Sequence, residues 1–182
     1  MVDSGLLVFA FISGLLLGAL PLWLLWTREK KRSRCDDLTG LANYRYFLVK
    51  LQGCKKQMNH PPHSIGLVLT DIDDFHQYNS LGYQYGDHVL QGFAKRLSDD
   101  TRGIAFCARY RLGDEFVMCF NADDQQKIRT VLQGMNNQNY GGEAVKFSYG
   151  LKIFSDASLN ADQMLSEVQL LLMEGKKNKG TR

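Results

Sequence analysis

The side chains best suited to chemistry lie in two acidic stretches, Asp71-Ile72-Asp73-Asp74 and, further along, Tyr110-Arg111-Leu112-Gly113-Asp114-Glu115-Phe116. The first closes a short β-rich run; the second is a Gly-Asp-Glu turn between two apolar runs. Carboxylates offered from a strand end and a hairpin turn are what a nucleotidyl-transfer site needs to hold Mg²⁺ over a triphosphate, because hard cations take oxygen ligands. Side chains alternate along a strand, so Asp71 and Asp73 share a face if the strand continues, and Asp74 points away. Asp71 is the best placed ligand. The turn sets Asp114 and Glu115 beside it if the hairpin's first strand pairs with the Asp71 strand. Asp71, the Ile72 carbonyl and Asp114 or Glu115 could then hold one Mg²⁺ or two, neutralising triphosphate charge and lowering the pKa of an attacking hydroxyl. A purely structural reading also stands, in which Asp73 caps the following short helix and Asp114 makes a tight turn with Gly113.

These residues need a scaffold, and the apolar spacing supplies one. Asn43 to Gln57 carries Tyr44, Phe47, Leu48 and Leu51 at helical spacing, ended by His60-Pro61-Pro62-His63. Ile65 to Thr70 reads as a buried central strand, and Gly86 to Leu97 as a helix with Val89, Leu90, Phe93, Ala94 and Leu97 on one face. Ile104 to Tyr110 and Phe116 to Phe120 flank the turn as a β-hairpin. Asp123 to Met135 is predicted helical, Asn136 to Gly142 a polar loop, Val145 to Phe154 a strand and Ala161 to Gly175 a last amphipathic helix. The basic residues from about Lys176 onward are expected to fray. This order predicts an α+β domain, an antiparallel-dominated sheet with helices packed on one side.

Composition narrows the possibilities. The chain has 182 residues, with 22 Lys and Arg against 19 Asp and Glu, for a net charge of +3. Cys35, Cys54, Cys107 and Cys119 form no C-x-x-C pair and no metal-ligand spacing with histidine, so they read as reduced thiols. No charge falls between Asp3 and Arg28, and Leu6 to Trp26 is almost continuously apolar, long enough to cross a bilayer core of about 30 Å. The stretch lacks the positive N-terminal region and small-residue cleavage site of a secretory signal. Residues 1–27 are therefore predicted to be a single transmembrane helix and 28–35 a basic juxtamembrane linker. The run Arg28, Lys30, Lys31, Arg32, Arg34 places the following domain in the cytoplasm by the positive-inside rule. It reads as a topology signal and a contact for acidic lipids, not as a nucleic-acid patch. Gly14-x-x-x-Gly18 offers a surface on which two such helices can approach closely.

Four ordered blocks then carry a resemblance. Asp36-Asp37-Leu38-Thr39-Gly40-Leu41-Ala42-Asn43, with Arg45 and Phe47, resembles the D-x-L-T-G-L-x-N-R-R-x-F opening of GGDEF domains, the diguanylate cyclase family of bacteria. Asp71-Ile72-Asp73-Asp74-Phe75, with Asn79, Gly82, Gly86-Asp87 and Leu90, is similar to its D-I-D-x-F-K-x-x-N-D-x-x-G-H-x-x-G-D-x-x-L block. Leu112-Gly113-Asp114-Glu115-Phe116 resembles the signature pentapeptide, and Phe147-Ser148-Tyr149-Gly150 the later T-x-S-x-G strand.

The resemblance implies a GGDEF-like domain over 36–182, with a ferredoxin-like palm related to nucleotidyl cyclases. It implies a reaction in which two GTP molecules condense into cyclic di-GMP with Mg²⁺ or Mn²⁺, on a homodimer because each copy binds one GTP. Asp71, Ile72 and Asp114 would then be metal ligands, and Glu115 would assist at the metal or the attacking 3′-hydroxyl. Asn79 and Asp87 would read guanine, Phe75 and Gly113 would lie near the triphosphate, and Lys176 would bind phosphate. The predicted location is the bacterial inner membrane, with the domain in the cytoplasm.

The chain also departs from the pattern. Leu112 stands where the first signature glycine is usual, or else one glycine of R-L-G-G is deleted. His76 replaces a lysine, Ser80 and Tyr83 replace Asp and His, and the Asn79 to Gly82 loop is one residue short of the family spacing. Val168-Gln169 replaces Ala-Asp, and the closing Gly-Arg-Asn is not recognisable. The inhibitory R-x-x-D product site reads Arg102-Gly103-Ile104-Ala105, which implies no feedback inhibition there. These departures keep open a second expectation: a catalytically inactive GGDEF module that binds GTP or a protein partner in cyclic di-GMP signalling.

Overall fold

The computed structural model describes residues 34–58, 63–111, 113–136, 138–140 and 144–180. The expected membrane helix, nearly all of the basic linker, the His60-Pro61-Pro62 break and Leu112 lie outside them. Among the described residues no helix is long and apolar enough to cross a membrane.

Helix α1 (Tyr44–Met58) buries Phe47, Leu51 and Met58. Asn43 starts it, its Oδ1 accepting the Tyr46 N–H at 2.9 Å and so satisfying one of the free donors of the first turn. Strand β1 (Ile65–Ile72), the short helix α2 (His76–Ser80) and helix α3 (Tyr83–Asp100) follow. The hairpin is β2 (Ala105–Arg109) and β3 (Glu115–Asn121). After a 3₁₀ turn come helix α4 (Gln125–Met135), the two-residue strands β4 (Gln138–Asn139) and β5 (Ala144–Val145), strand β6 (Phe147–Phe154) and helix α5 (Ala161–Gly180).

The main sheet has the order β2-β3-β1-β6 with every neighbouring pair antiparallel, the ferredoxin-like arrangement expected from the resemblance. Helices cover both of its faces, not one. Val68 and Ile72 of β1 join Val89, Phe93 and Leu97 of α3 and Ile128 and Leu132 of α4. Ile65, Leu67 and Leu69 join Phe47 and Leu51 of α1 and Leu165, Val168 and Leu172 of α5. A central strand with consecutive apolar residues needs cover on both sides, whichever way its side chains alternate. Complete burial of Leu67, Val68 and Leu69 contributes about 2 kcal/mol each.

Three element bounds differ from expectation in ways that matter for the site. Strand β1 runs two residues beyond Thr70, which puts Asp71 and Ile72 inside the sheet. The loop after α4 carries a small ribbon, Gln138 opposite Val145 and Asn139 opposite Ala144. Helix α5 continues past Gly175 to Gly180, so the lysines expected to fray are helical. That helix lies against β6 at Gly150: a Cβ there would stand 2.2 Å from the Val168 carbonyl and 2.6 Å from the Leu172 nitrogen. Only glycine permits the two backbones to approach so closely.

Candidate active site

The acidic residues meet at one end of the sheet. Asp71 of β1 lies directly opposite Glu115 of β3 on one side and Ser148 of β6 on the other. Residues paired across antiparallel strands share a face, with Cα atoms about 4.5–5.5 Å apart. The strand that brings Glu115 to Asp71 is the hairpin's second, β3, and not its first as the sequence suggested; β2 lies at the edge of the sheet, paired with β3 and bridged at Ala108 by Ala42. The Ile72 N–H donates to the Asp114 carbonyl at 3.4 Å, fastening the end of β1 to the turn. Lys176 of α5 donates from Nζ to Asp71 Oδ1.

Electrostatics sets this corner apart. Burial, then the neighbouring Asp71 charge, push the Asp114 carboxyl above its usual range, and Lys176 and Arg109 offset that only in part. Glu115 is raised by burial first and then by Asp71 and Asp114, against Lys176 and Arg111. Crowded carboxylates with raised pKa values mark a place short of positive charge. The donor set fits a hard divalent cation. Among the described residues no three His, Cys, Asp or Glu side chains gather as a cage. Coordination from two carboxylates, the Ile72 carbonyl and substrate phosphates is the pattern Mg²⁺ prefers.

A second ion pair supports the turn from below. Arg109, at the end of β2, donates from Nε to the Gly113 carbonyl at 3.0 Å and from Nη1 to Asp36 Oδ1 at 3.2 Å. Asp36 Oδ1 also accepts the Thr39 N–H at 2.9 Å and its hydroxyl at 2.7 Å. Burial raises the Asp36 pKa, but the Thr39 bonds and the Arg109 charge outweigh it and hold the carboxyl below its ordinary value. Arg111, directly after Tyr110 at the mouth of the turn, takes a left-handed φ of +54°.

The residues assigned to guanine lie on α2 and α3, on either side of the short connection between them. Asn79, half-buried on α2, packs on Gly86 of α3, where a Cβ would stand 2.1 Å from Asn79 Oδ1. Exposed Asp87 follows Gly86 directly, so close helix approach at this glycine brings Asn79 beside the Asp87 turn despite the shortened loop. Phe75 packs against Tyr78 with ring centroids 6.0 Å apart, and its ring tip reaches to 3.3 Å from where a Cβ on Gly86 would stand. An open depression of about 550 Å³ on this connection is lined by Leu81, Gly82, Tyr83, Gln84, Tyr85 and His88 and includes none of the acidic residues.

Asp73 fits neither sequence reading. It does not cap α2, whose N-cap residue Phe75 has no side-chain capping bond. Both its oxygens are engaged: Oδ1 accepts the Ser148 hydroxyl at 2.7 Å and Oδ2 the Lys179 ammonium at 3.0 Å. The sequence does not single out Asp36, Arg109, Ser148 or Lys179 as site residues. The signals it offers are the places of Asp36 and Ser148 in two of the motif blocks and Arg109 as a lone charge closing an apolar strand.

Comparison with known proteins identifies the family and the fold. Response regulator PleD of Caulobacter vibrioides is 39% identical over 84 residues, 46% of this chain and 18% of PleD. Diguanylate cyclase DgcP of Escherichia coli (strain K12) is 26% identical over 157 residues, 81% of this chain and 46% of DgcP. The chain thus spans less than half the length of either. The coiled coil and GGDEF domain of DgcB from Caulobacter crescentus, solved in complex with c-di-GMP, has a TM-score of 0.82 at 20% identity and covers 94% of this chain and 95% of that one. That likeness speaks for the fold alone. The family model for the diguanylate cyclase GGDEF domain matches residues 33–182, and the chain belongs to that family.

Proposed function

We propose that this protein is a diguanylate cyclase that condenses two GTP molecules into cyclic di-GMP and pyrophosphate, as a homodimer anchored to the inner membrane by residues 1–27. The observation that carries the reading is Asp71 opposite Glu115, with the Asp114 turn hydrogen-bonded to Ile72 and a lysine on Asp71. Asp71, Asp114 and the Ile72 carbonyl would hold Mg²⁺ or Mn²⁺, which when bound neutralises triphosphate charge and acidifies the attacking 3′-hydroxyl. Lys176, which pairs with Asp71, would bind a phosphate oxygen of the substrate. Glu115, whose raised pKa suits proton traffic, stands next to the same centre. Asn79 and Asp87 would read the guanine edge, Asp87 accepting from N1–H and the amino group, with Phe75 and Gly113 near the triphosphate.

The test is full-length protein in detergent with GTP and Mg²⁺, its products separated beside Asp114→Ala. Cyclic di-GMP from the unmodified protein and none from the variant is the expected result. A second reading, a GTP-binding or protein-interaction module without turnover, is favoured by Arg111, whose left-handed backbone is costly for a residue with a side chain and reshapes the turn the phosphates must meet. Tight GTP binding with the nucleotide left intact selects that reading.

A further inference from the structure

The last turn of α5 makes a contact that the site as read so far does not use. Lys179 donates from Nζ to Asp73 Oδ2 at 3.0 Å and to the Phe147 carbonyl at 2.8 Å. Asp73 is itself fixed: its N–H donates to the Lys146 carbonyl at 2.9 Å, and its Oδ1 accepts the Ser148 hydroxyl at 2.7 Å. We propose that Lys179, through Asp73 and Ser148, is a positioning residue that seats Lys176 over the Asp71–Glu115 crevice.

The spacing makes the arrangement work. Lys176 and Lys179 are three residues apart on one helix, about 4.5 Å along its axis and on one face. Asp71 lies in β1 and Asp73 just past its end, and each accepts from a different one of these lysines. Two lysines on a helix therefore meet two carboxylates on a strand end, each with its own partner. The pairs differ in what else they hold. Asp73 has both oxygens occupied and its backbone tied to β6, so its pair with Lys179 is a fixed clasp. Lys176 bonds to Asp71 alone among the contacts described, so it can leave that carboxylate while Lys179 keeps the helix in place. Helix α5 is held at its middle by the close approach at Gly150, but its last turn has little apolar cover: Lys176 is half-buried, and Lys177 to Lys179 are exposed. Without the clasp that turn is free to swing from the sheet and take Lys176 with it. The consequence for GTP rests on the cyclase reading; the placement of Lys176 does not.

The experiment uses the full chain and has one readout without nucleotide and one with it. The rate of Lys176 acylation by acetic anhydride, followed by mass spectrometry, is expected to rise about fivefold in Lys179→Ala, the upper end for a part-exposed pair. Lys179→Arg, which can serve both acceptors, restores protection, and the exposed Lys95 reacts equally in all three proteins. The affinity for Mg²⁺·GTP is expected to fall about threefold in Lys179→Ala but not to fall further when Lys176→Ala is already present, since a residue acting through Lys176 has nothing left to position. Unchanged Lys176 reactivity, or equal losses of affinity with and without Lys176, overturns the proposal. If Lys176 reactivity responds as expected while the unmodified chain binds no GTP, the clasp stands and the cyclase reading falls.

Discussion

Two ion pairs bracket the Gly113–Glu115 turn in opposite surroundings. On one side Arg109 and Asp36, with side chains 9% and 10% exposed, pair at 3.2 Å, and each has further partners in the turn carbonyl and Thr39. On the other, Lys176 and Asp71 are 39% and 18% exposed, and the carboxylates around them are too many for one lysine to balance. The first pair is closed, since every charge has its donors or acceptors nearby, and it behaves as a strut. The second has an unbalanced negative surplus and an open side, which is the condition for receiving a cation and a phosphate. The same chemical pair is closed or open according to whether its surroundings complete it.

Breaking the strut has the largest expected effect. Arg109→Met leaves Asp36 buried with only the Thr39 donors and frees the Gly113 carbonyl. It should cost about 3 kcal/mol, or about 9 °C in melting temperature for a domain of this size. If melting is unchanged in differential scanning calorimetry, the closed pair contributes nothing and the contrast between the two sides fails.

Next in size is a change that acts on the open side only. Gly150→Ala would place a methyl group 2.2 Å from the Val168 carbonyl, so α5 must shift outward from β6. A cost of about 2 kcal/mol is expected for overpacking at backbone. Because the shift carries Lys176 and Lys179 from their carboxylates, GTP affinity should fall by more than the loss of stability accounts for, while the Arg109–Asp36 pair is untouched. Measuring GTP affinity at a temperature where the variant is fully folded separates the two contributions.

What can be read in the sequence divides along the same line. Helices α1 and α3 and strand β1 announce themselves because their apolar spacing is local, and the Asp71 to Asp114 meeting is anticipated too, although through the other strand of the hairpin. Cover on both faces of the sheet is legible too, in the unbroken apolar run of β1, although the order of elements alone suggests one face. The C-terminal lysines look set to fray because nothing near them favours order; their partners Asp71 and Asp73 are 105 and 106 residues away. Arg109 and Asp36 are 73 residues apart, and neither identity implies the other. Long-range pairing of charges leaves no periodicity to detect, so the strut and the clasp appear only when the sheet is assembled.

The smallest expected effect is also the one that separates the two sides of the turn most clearly, because Asp36 on one side and Asp114 and Glu115 on the other respond to acid in opposite directions. Asp36 has a lowered pKa, so its contribution is present above its unfolded value and is lost as pH falls through the folded one. Asp114 and Glu115 have raised values, so the stability linked to their protons is full below the unfolded carboxylate range and is lost as pH rises through the folded one. At neutral pH without divalent metal the open side therefore works against folding. Asp114→Asn, which removes one of the crowded charges, should raise the melting temperature in EDTA by about 2 °C. It should also abolish most of the further rise that Mg²⁺·GTP gives the unmodified protein. Asp36→Asn should do the reverse, lowering the melting temperature at neutral pH and flattening its fall toward acid. If Asp114→Asn destabilises the metal-free protein, the acidic corner is a satisfied structural cluster like the strut, and the surplus of charge that invites a cation is not there.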